Sequence, residues 1–158
     1  MVYLVRQHVD DYNEKIPIFI HLMQYQEIQP QGFLSQIVRY FWIIEHNGEY
    51  SAPARYQLFA ESSPSLVFFP YSNESILAGH TCKSREILIG GEFLMIGACL
   101  YPYAVPLLFK IPTMTVRDTY IFLEDLAVDD GRSMAKEKMG LATNHHDRIQ
   151  IFSDYLFC

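Results

Sequence analysis

Basic residues are scarce in this sequence and are not clustered. The 158 residues include 12 Lys and Arg against 18 Asp and Glu, which gives a formal net charge of -6. A protein that reads duplex DNA gains most of its non-specific affinity from clustered basic side chains that neutralise phosphates. The small groups Lys83/Arg85 and Arg132/Lys136/Lys138 are interpreted as ordinary solvated surface. We therefore expect that this segment alone does not bind nucleic acid.

Cysteine is also rare, and long apolar runs are missing. The three cysteines, Cys82, Cys99 and Cys158, form no spaced framework, and an odd count argues against a disulfide scaffold. No stretch reaches the about 18 apolar residues that a membrane-spanning helix needs. The N-terminus lacks the basic start and apolar run of a signal peptide. We expect a chain that resides in the reducing cytoplasm, without membrane contact.

Proline does not occur after Pro112, and this divides the sequence into two parts. The first part holds short apolar runs separated by Gly, Pro, Asn and Ser, a pattern typical of the short strands of a sandwich or barrel. Strands are predicted at residues 37–46, 55–60, 65–69, 74–81, 85–89 and 93–100. The strands at 74–81 and 85–89 are predicted to pair across Cys82-Lys83-Ser84.

The second part has helical periodicity, so the predicted fold class is α+β with two C-terminal helices. Residues 131–142 contain good helix formers, and Asn144 with Asp147 forms a near capping box that begins a second helix. The second helix carries an apolar stripe at i, i+3 and i+7, formed by Ile149, Phe152 and Leu156. This stripe is a candidate dimer contact, or it packs on the sheet. Because no Gly cap or polar tail precedes Cys158, we expect the native polypeptide to continue beyond it.

From Tyr25 onward, an ordered series of short segments is similar to segments of a known family. The series is Tyr25-Gln26-Glu27-Ile28-Gln29-Pro30, Leu34, Val38-Arg39-Tyr40-Phe41-Trp42, residues 58–68, Ile89-Gly90-Gly91, Ile96-Gly97, residues 101–109, Leu123-Glu124-Asp125-Leu126 and Arg148-Ile149. In this order and spacing, most of the chain resembles the N-terminal domain of a branch of AraC-type transcription regulators. One departure is Ala60-Glu61-Ser62, where many relatives carry a Pro-Asp-Gly-like turn, so no role of that turn is transferred.

The resemblance implies a cupin-like β-barrel or sandwich, two trailing helices and then a pair of helix-turn-helix units that this chain lacks. Residues 1–24 are then an N-terminal extension, 25–128 a β-rich sensor core and 129–158 a helical C-terminal segment. Translation from Met23 instead of Met1 stays open. The implied function is ligand sensing and dimerisation within a regulator, with a homodimer and a possible small-molecule effector. DNA would be contacted only through the missing C-terminal domain.

Aromatic side chains provide the candidate ligand site. Tyr40 and Trp42 alternate onto one face of their predicted strand, and Phe41 and Ile43 take the other face. Pockets for small organic ligands are mainly apolar with a few polar groups, which Tyr and Trp provide. The candidate ligand-binding residues are Tyr40, Trp42, Phe68 and Tyr101. The alternative interpretation is a large aromatic core without a ligand.

A metal-dependent cupin enzyme is the sharpest rival hypothesis, because it would share the β-architecture. Its best local candidates are His80 and Cys82 on one face of a strand, with Glu86 nearby, whereas a metal site needs three or four converging ligands. No Gly-x-Ser-x-Gly nucleophile elbow is present. We expect no catalytic residues, cofactor or metal. A stand-alone small-molecule-binding cupin-like protein remains the other alternative.

Overall fold

The computed structural model describes residues 4–6, 23–47, 54–58, 62–72, 74–83, 85–89, 91–126 and 131–157. These residues form strands β1 (Leu4–Arg6), β2 (Met23–Ile28), β3 (Val38–Asn47), β4 (Ala54–Leu58), β5 (Ser65–Phe69), β6 (Glu74–Ala78), β7 (Arg85–Ile89), β8 (Glu92–Leu100) and β9 (Tyr120–Phe122). The helices are α1 (Ala104–Phe109), α2 (Arg132–Leu141) and α3 (His145–Phe157). Short 3-10 turns cover Gly32–Gln36, Thr113–Val116 and Leu123–Asp125.

The described strands form two antiparallel sheets, and the fold is α+β as predicted. The smaller sheet has the order β1-β4-β7, and the larger sheet has the order β2-β3-β8-β5-β6-β9. The two sheets are compatible with a cupin-like sandwich. Strands β5 and β7 have the predicted bounds, and α2 and α3 follow the sheets as expected. Strand β2 begins at Met23, close to the predicted start of the core at residue 25, and α1 adds a short helix after β8.

The predicted hairpin between residues 74–81 and 85–89 is wrong. Strand β6 pairs with β5 and β9, whereas β7 pairs with β4 in the other sheet. After β6 the chain lies against the turn at 116–119, because the Gly79 amide donates to the Thr119 carbonyl at 3.0 Å. A Cβ atom at Gly79 would lie 1.5 Å from the Val116 carbonyl oxygen, so this approach requires glycine. These contacts direct the chain away from β6, and the segment after it does not close a hairpin.

A β-bulge in β3 determines which side chains face each side of the larger sheet. Val38 lies opposite Leu100 and Tyr40 lies opposite Cys99, which leaves Arg39 as the extra residue. Arg39 Nη1 donates to Ser63 Oγ at 2.6 Å and holds the bulge against the segment before β5. The bulge therefore separates Val38, which packs in the main core, from Tyr40, which packs on the opposite face.

One face of the larger sheet, here called the helical face, packs against the C-terminal helices. Its buried side chains include Phe41, Ile43, Leu66, Phe68, Leu77, Leu94 and Ile96. Phe152 of α3 is fully buried among them, with ring centroids 5.5 Å from Phe41 and 5.0 Å from Phe68. Offset and edge-to-face aromatic pairs at such distances add to the stabilisation from apolar burial. The main core therefore lies between this face and the helices.

Polar contacts fix the two C-terminal helices. The predicted cap of α3 is confirmed, since the Asp147 amide donates to Asn144 Oδ1 at 2.8 Å. The expectation of a solvated Lys136 is wrong, because this side chain is buried and its Nζ lies 3.2 Å from Glu124 Oε1. Ser75 Oγ on β6 also donates to the Glu124 carboxylate. A buried ammonium needs such partners, so this contact ties α2 to the sheet.

Candidate functional site

The second face of the larger sheet carries a separate buried cluster. Strand alternation places Tyr40, Trp42 and Ile44 of β3 on this side. The cluster, here called the aromatic face, consists of Tyr40, Trp42, Ile44, Val67, Met95 and Cys99, with partly buried Phe69, Ile76 and Phe93 packed against it. These residues come from β3, β8, β5 and β6. The aromatic face is thus built by neighbouring strands and lies opposite the helical face.

Trp42 lies in a row of paired residues that crosses the whole larger sheet. The row is Glu27, Trp42, Gly97, Val67, Ile76 and Phe122, one residue from each of the six strands. Trp42 is 5% exposed and occupies the position next to Gly97 in the centre of the sheet. Cross-strand neighbours on one face are close enough for their side chains to touch. The indole therefore lies in the middle of the aromatic face.

Gly97 provides the space that the indole occupies. A Cβ atom on Gly97 would lie 2.1 Å from both Cε2 and Cζ2 of Trp42 and 2.6 Å from Nε1. These distances are far below van der Waals contact, so the indole lies directly on the Gly97 backbone. Glycine within a strand is typical of such a close approach. The position of the only tryptophan of the chain thus depends on a residue that the sequence analysis did not assign to the site.

The indole nitrogen of Trp42 is buried without a hydrogen bond. No acceptor among the described residues reaches Nε1. A buried polar group without a partner costs about 1–3 kcal/mol, and Trp N–H groups usually find an acceptor when they are buried. Nε1 is therefore a buried donor on the aromatic face whose hydrogen-bonding capacity is unused.

The charged groups on this side are mostly acidic, and one of them, Glu27, lies directly opposite Trp42 on the neighbouring strand. Strand alternation places Glu27 and Glu74 here, together with His46, on the described strands of the larger sheet. Glu27 accepts a hydrogen bond of 2.6 Å from the Tyr25 hydroxyl, and His46 Nδ1 lies 2.8 Å from the Gly91 carbonyl. The register puts no lysine or arginine on this side of those strands.

The structure brings together two of the four predicted ligand-binding residues. Tyr40 and Trp42 share the aromatic face, as their alternation predicted. Phe68 does not join them, because it lies on the helical face in contact with Phe152 and Tyr155. Tyr101 follows the end of β8 and stacks on Tyr103 at 5.5 Å. The four predicted side chains therefore do not line one common pocket.

The apolar stripe of α3 packs on the sheet, which is the second of its two predicted roles. Ile149, Phe152 and Leu156 are each at most 9% exposed and belong to the core of the same chain. Their packing is on the sheet. The described part of α3 offers Phe157 at its end as an exposed aromatic residue, 6.2 Å from Phe33. A dimer contact would have to use side chains such as these instead of the buried stripe.

A buried ion pair connects β3 with the first turn of α3. Arg148 is 6% exposed, and its Nη1 donates to Glu45 Oε1 at 3.1 Å. His145 Nε2 lies 3.5 Å from the other oxygen of Glu45. Partial burial raises the pKa of the neighbouring Tyr71 hydroxyl; Arg148 opposes this change, while Glu92 and Glu45 add to it. Sequence reasoning missed this group, whose main partners are 103 residues apart.

Replacing Glu45 with glutamine should weaken the attachment of α3. The Glu45→Gln variant leaves the buried Arg148 charge without its carboxylate, and one-sided removal of a buried pair is strongly destabilising. Because the Glu45 side chain is 22% exposed, we expect a discounted loss of about 1–3 kcal/mol in the free energy of unfolding. Chemical denaturation would measure it. The control is Glu74→Gln, an exposed glutamate of β6; equal losses in both variants would contradict the argument.

The candidate metal ligands lie in and after the loop that follows β6. His80 accepts the Asp118 amide with its backbone carbonyl, and exposed Cys82 donates its amide to Asp118 Oδ1 at 3.0 Å. The Glu86 side chain lies outside the described residues. In the part of the chain that is described, no group of three His, Cys, Asp or Glu side chains is placed to hold a metal ion. The described part of this loop therefore provides no support for the enzyme alternative.

None of the helices in the described ranges is long and apolar enough to cross a membrane.

Comparison with known proteins gives one finding. The sequence model of a domain family of unknown function, DUF6597, matches residues 26–122. This range begins within β2, ends with β9 and contains the aromatic face. No curated protein and no solved structure matches the chain. Because the match covers well over half of the sequence, the chain belongs to the DUF6597 family.

Proposed function

We propose that the chain is the ligand-sensing and dimerisation domain of an AraC-type transcription regulator that acts in the cytoplasm. The observation that carries the ligand-sensing part is Trp42, whose buried Nε1 has no acceptor among the described residues. A small organic molecule on the aromatic face would supply that acceptor while burying apolar surface, as in most ligand pockets. The ordered resemblance of the sequence to AraC-type domains supplies the regulatory context.

Strand β3 offers a route from the ligand to the helices. Trp42 lies on the aromatic face, and Glu45, three residues later, binds Arg148 and His145 of α3 on the other side. A ligand changes the population of two states only when its affinity for them differs. In this proposal, the ligand-bound arrangement of Trp42 favours one position of β3, and the ion pair transmits that position to α3. The helix would then bias an attached DNA-binding unit.

The dimerisation part is tested by the association state of the chain. We expect sedimentation velocity at micromolar concentration to show a dimer. A fusion of residues 1–158 to a DNA-binding unit that represses only as a dimer should repress a reporter, while that unit alone should not. A monomer in the centrifuge together with an unrepressed reporter would contradict the regulator assignment. A chain that binds ligand but never dimerises would instead fit the stand-alone binding protein.

The sensing part is tested with the fluorescence of the single tryptophan. We expect a screen of small aromatic and aliphatic compounds to find binders that shift Trp42 emission and raise the melting temperature. A ligand at 100 times its Kd stabilises the native state by about 2.7 kcal/mol. Elemental analysis of the same purified protein tests the remaining alternative, a cupin-like enzyme, because such an enzyme would carry stoichiometric metal. Emission that no compound changes would count against a ligand site at Trp42.

A further inference from the structure

We infer that the aromatic face takes a neutral, planar organic ligand whose carbonyl-type oxygen accepts a hydrogen bond from Trp42 Nε1. This inference rests on the proposed function and adds the chemical class of the ligand. It begins with the donor. Nε1 belongs to a side chain that is 5% exposed, and no described acceptor reaches it. An indole nitrogen only donates, so the complementary ligand atom must be an acceptor.

The residues around Nε1 indicate the shape and polarity of the rest of the ligand. Val67, Met95 and partly buried Phe69 and Phe93 supply apolar and aromatic surface in the same cluster as Trp42. Aromatic rings pack well on such surfaces, and a thioether contacts ring edges favourably. At Gly97 the indole lies on the backbone itself, so one side of its ring is already covered. The apolar and aromatic neighbours of Trp42 in this cluster suit a flat, mainly apolar molecule.

The charges on the described strands of the larger sheet favour a neutral ligand over an anionic one. The register places Glu27 and Glu74 on this side of the larger sheet and no lysine or arginine from its described strands. Arg39 at the bulge is engaged with Ser63 Oγ. Transfer of an unpaired carboxylate to an apolar site is very unfavourable. A neutral ketone, amide or ester oxygen satisfies Nε1 without this cost.

The test uses three probes of similar shape: acetophenone, benzoate and ethylbenzene. The single tryptophan gives one indole N–H resonance, and we expect acetophenone to move it downfield. Ethylbenzene should bind without that shift, because it has no acceptor. Benzoate at neutral pH should bind at least about tenfold more weakly than acetophenone, because the described strands of the larger sheet offer its charge no basic partner on this face.

A second experiment removes the indole N–H donor of Trp42 while keeping the shape of the side chain. Because Trp42 is the sole tryptophan, global replacement by 3-benzothienylalanine exchanges only its N–H for sulfur. Calorimetric affinities for acetophenone should fall about fivefold to tenfold relative to those for ethylbenzene, as expected for one buried hydrogen bond. Trp42→Phe is the second variant and should cause a relative loss of similar size.

The outcomes separate this inference from the proposed function. Binding of all three probes with unchanged relative affinity in the sulfur analogue would overturn the ligand class and leave ligand sensing intact. Preferred binding of benzoate would overturn the neutral charge. Failure of every probe to bind at millimolar concentration would overturn the ligand class, whereas dimerisation and the reporter assay judge the regulator role independently.

Discussion

Replacing Gly97 with alanine is expected to displace the Trp42 indole and to lower the free energy of unfolding by about 1–3 kcal/mol, the usual cost of overpacking. The added Cβ would lie 2.1 Å from two ring atoms. The indole is rigid and lies in the buried centre of its face, so it cannot rotate away as a flexible chain end would. For a chain of this length, the melting temperature should fall by about 2–12 °C.

Thermal denaturation and Trp42 emission together measure the Gly97→Ala effect. Displacement toward water should shift the emission to longer wavelength in the same variant that loses stability. The matched control is Gly140→Ala in α2, where a Cβ would meet Pro70 Cβ at an ordinary 3.5 Å. Alanine is the better helix former by about 0.8–1.0 kcal/mol, so this control should be neutral or stabilising. Wild-type emission and stability in Gly97→Ala would show that the indole does not occupy this position.

The largest loss of stability is expected for Phe152→Ala. Phe152 is completely buried and contacts the rings of Phe41 and Phe68 across the interface between α3 and the sheet. Truncation of such a side chain removes its transfer free energy and leaves a cavity, which together cost about 3–5 kcal/mol. The corresponding decrease in melting temperature is about 6–20 °C. Chemical denaturation at equilibrium would measure the free energy directly.

Phe157→Ala is the control on the same helix. Its side chain is 61% exposed and contacts Phe33 at the surface, and surface substitutions usually change stability by less than about 0.5 kcal/mol. Similar effects of the two variants would contradict the buried position of Phe152. The comparison also bears on association. A variant of Phe152 that loses the dimer is informative only if its fold is intact, since the stripe packs within its own chain.

Elements of the fold were predictable where local patterns suffice. The bounds of β5 and β7 follow from β-branched and aromatic runs bounded by turn residues, and Asn144 with Asp147 specifies the start of α3. Strand partners were not predictable in the same way. The sequence places residues 74–81 and 85–89 next to each other, but Gly79 and Cys82 bind the distant turn at 116–119 instead.

Sequence reasoning located only part of the candidate site, for a related reason. Alternation within one strand correctly puts Tyr40 and Trp42 on one face. It cannot relate the faces of two different strands, because that needs their register, and Phe68 therefore falls on the opposite side. A glycine within an otherwise apolar strand was the available signal for Gly97. The pair Glu45 and Arg148 had no local signal, since each alone is typical of a solvated surface.

The central position of β8 has a consequence for the order in which the chain folds. Strand β8 pairs on one side with β3 and on the other with β5, so the middle of the larger sheet cannot form until residues 92–100 have been synthesised. The hairpins of β2 with β3 and of β5 with β6 join near neighbours and are expected to form first. Pairings between distant segments slow folding through the entropy of closing long loops. Until β8 inserts, Trp42 has no Gly97 to lie on, and the burial of its indole should mark the late, rate-limiting step of folding.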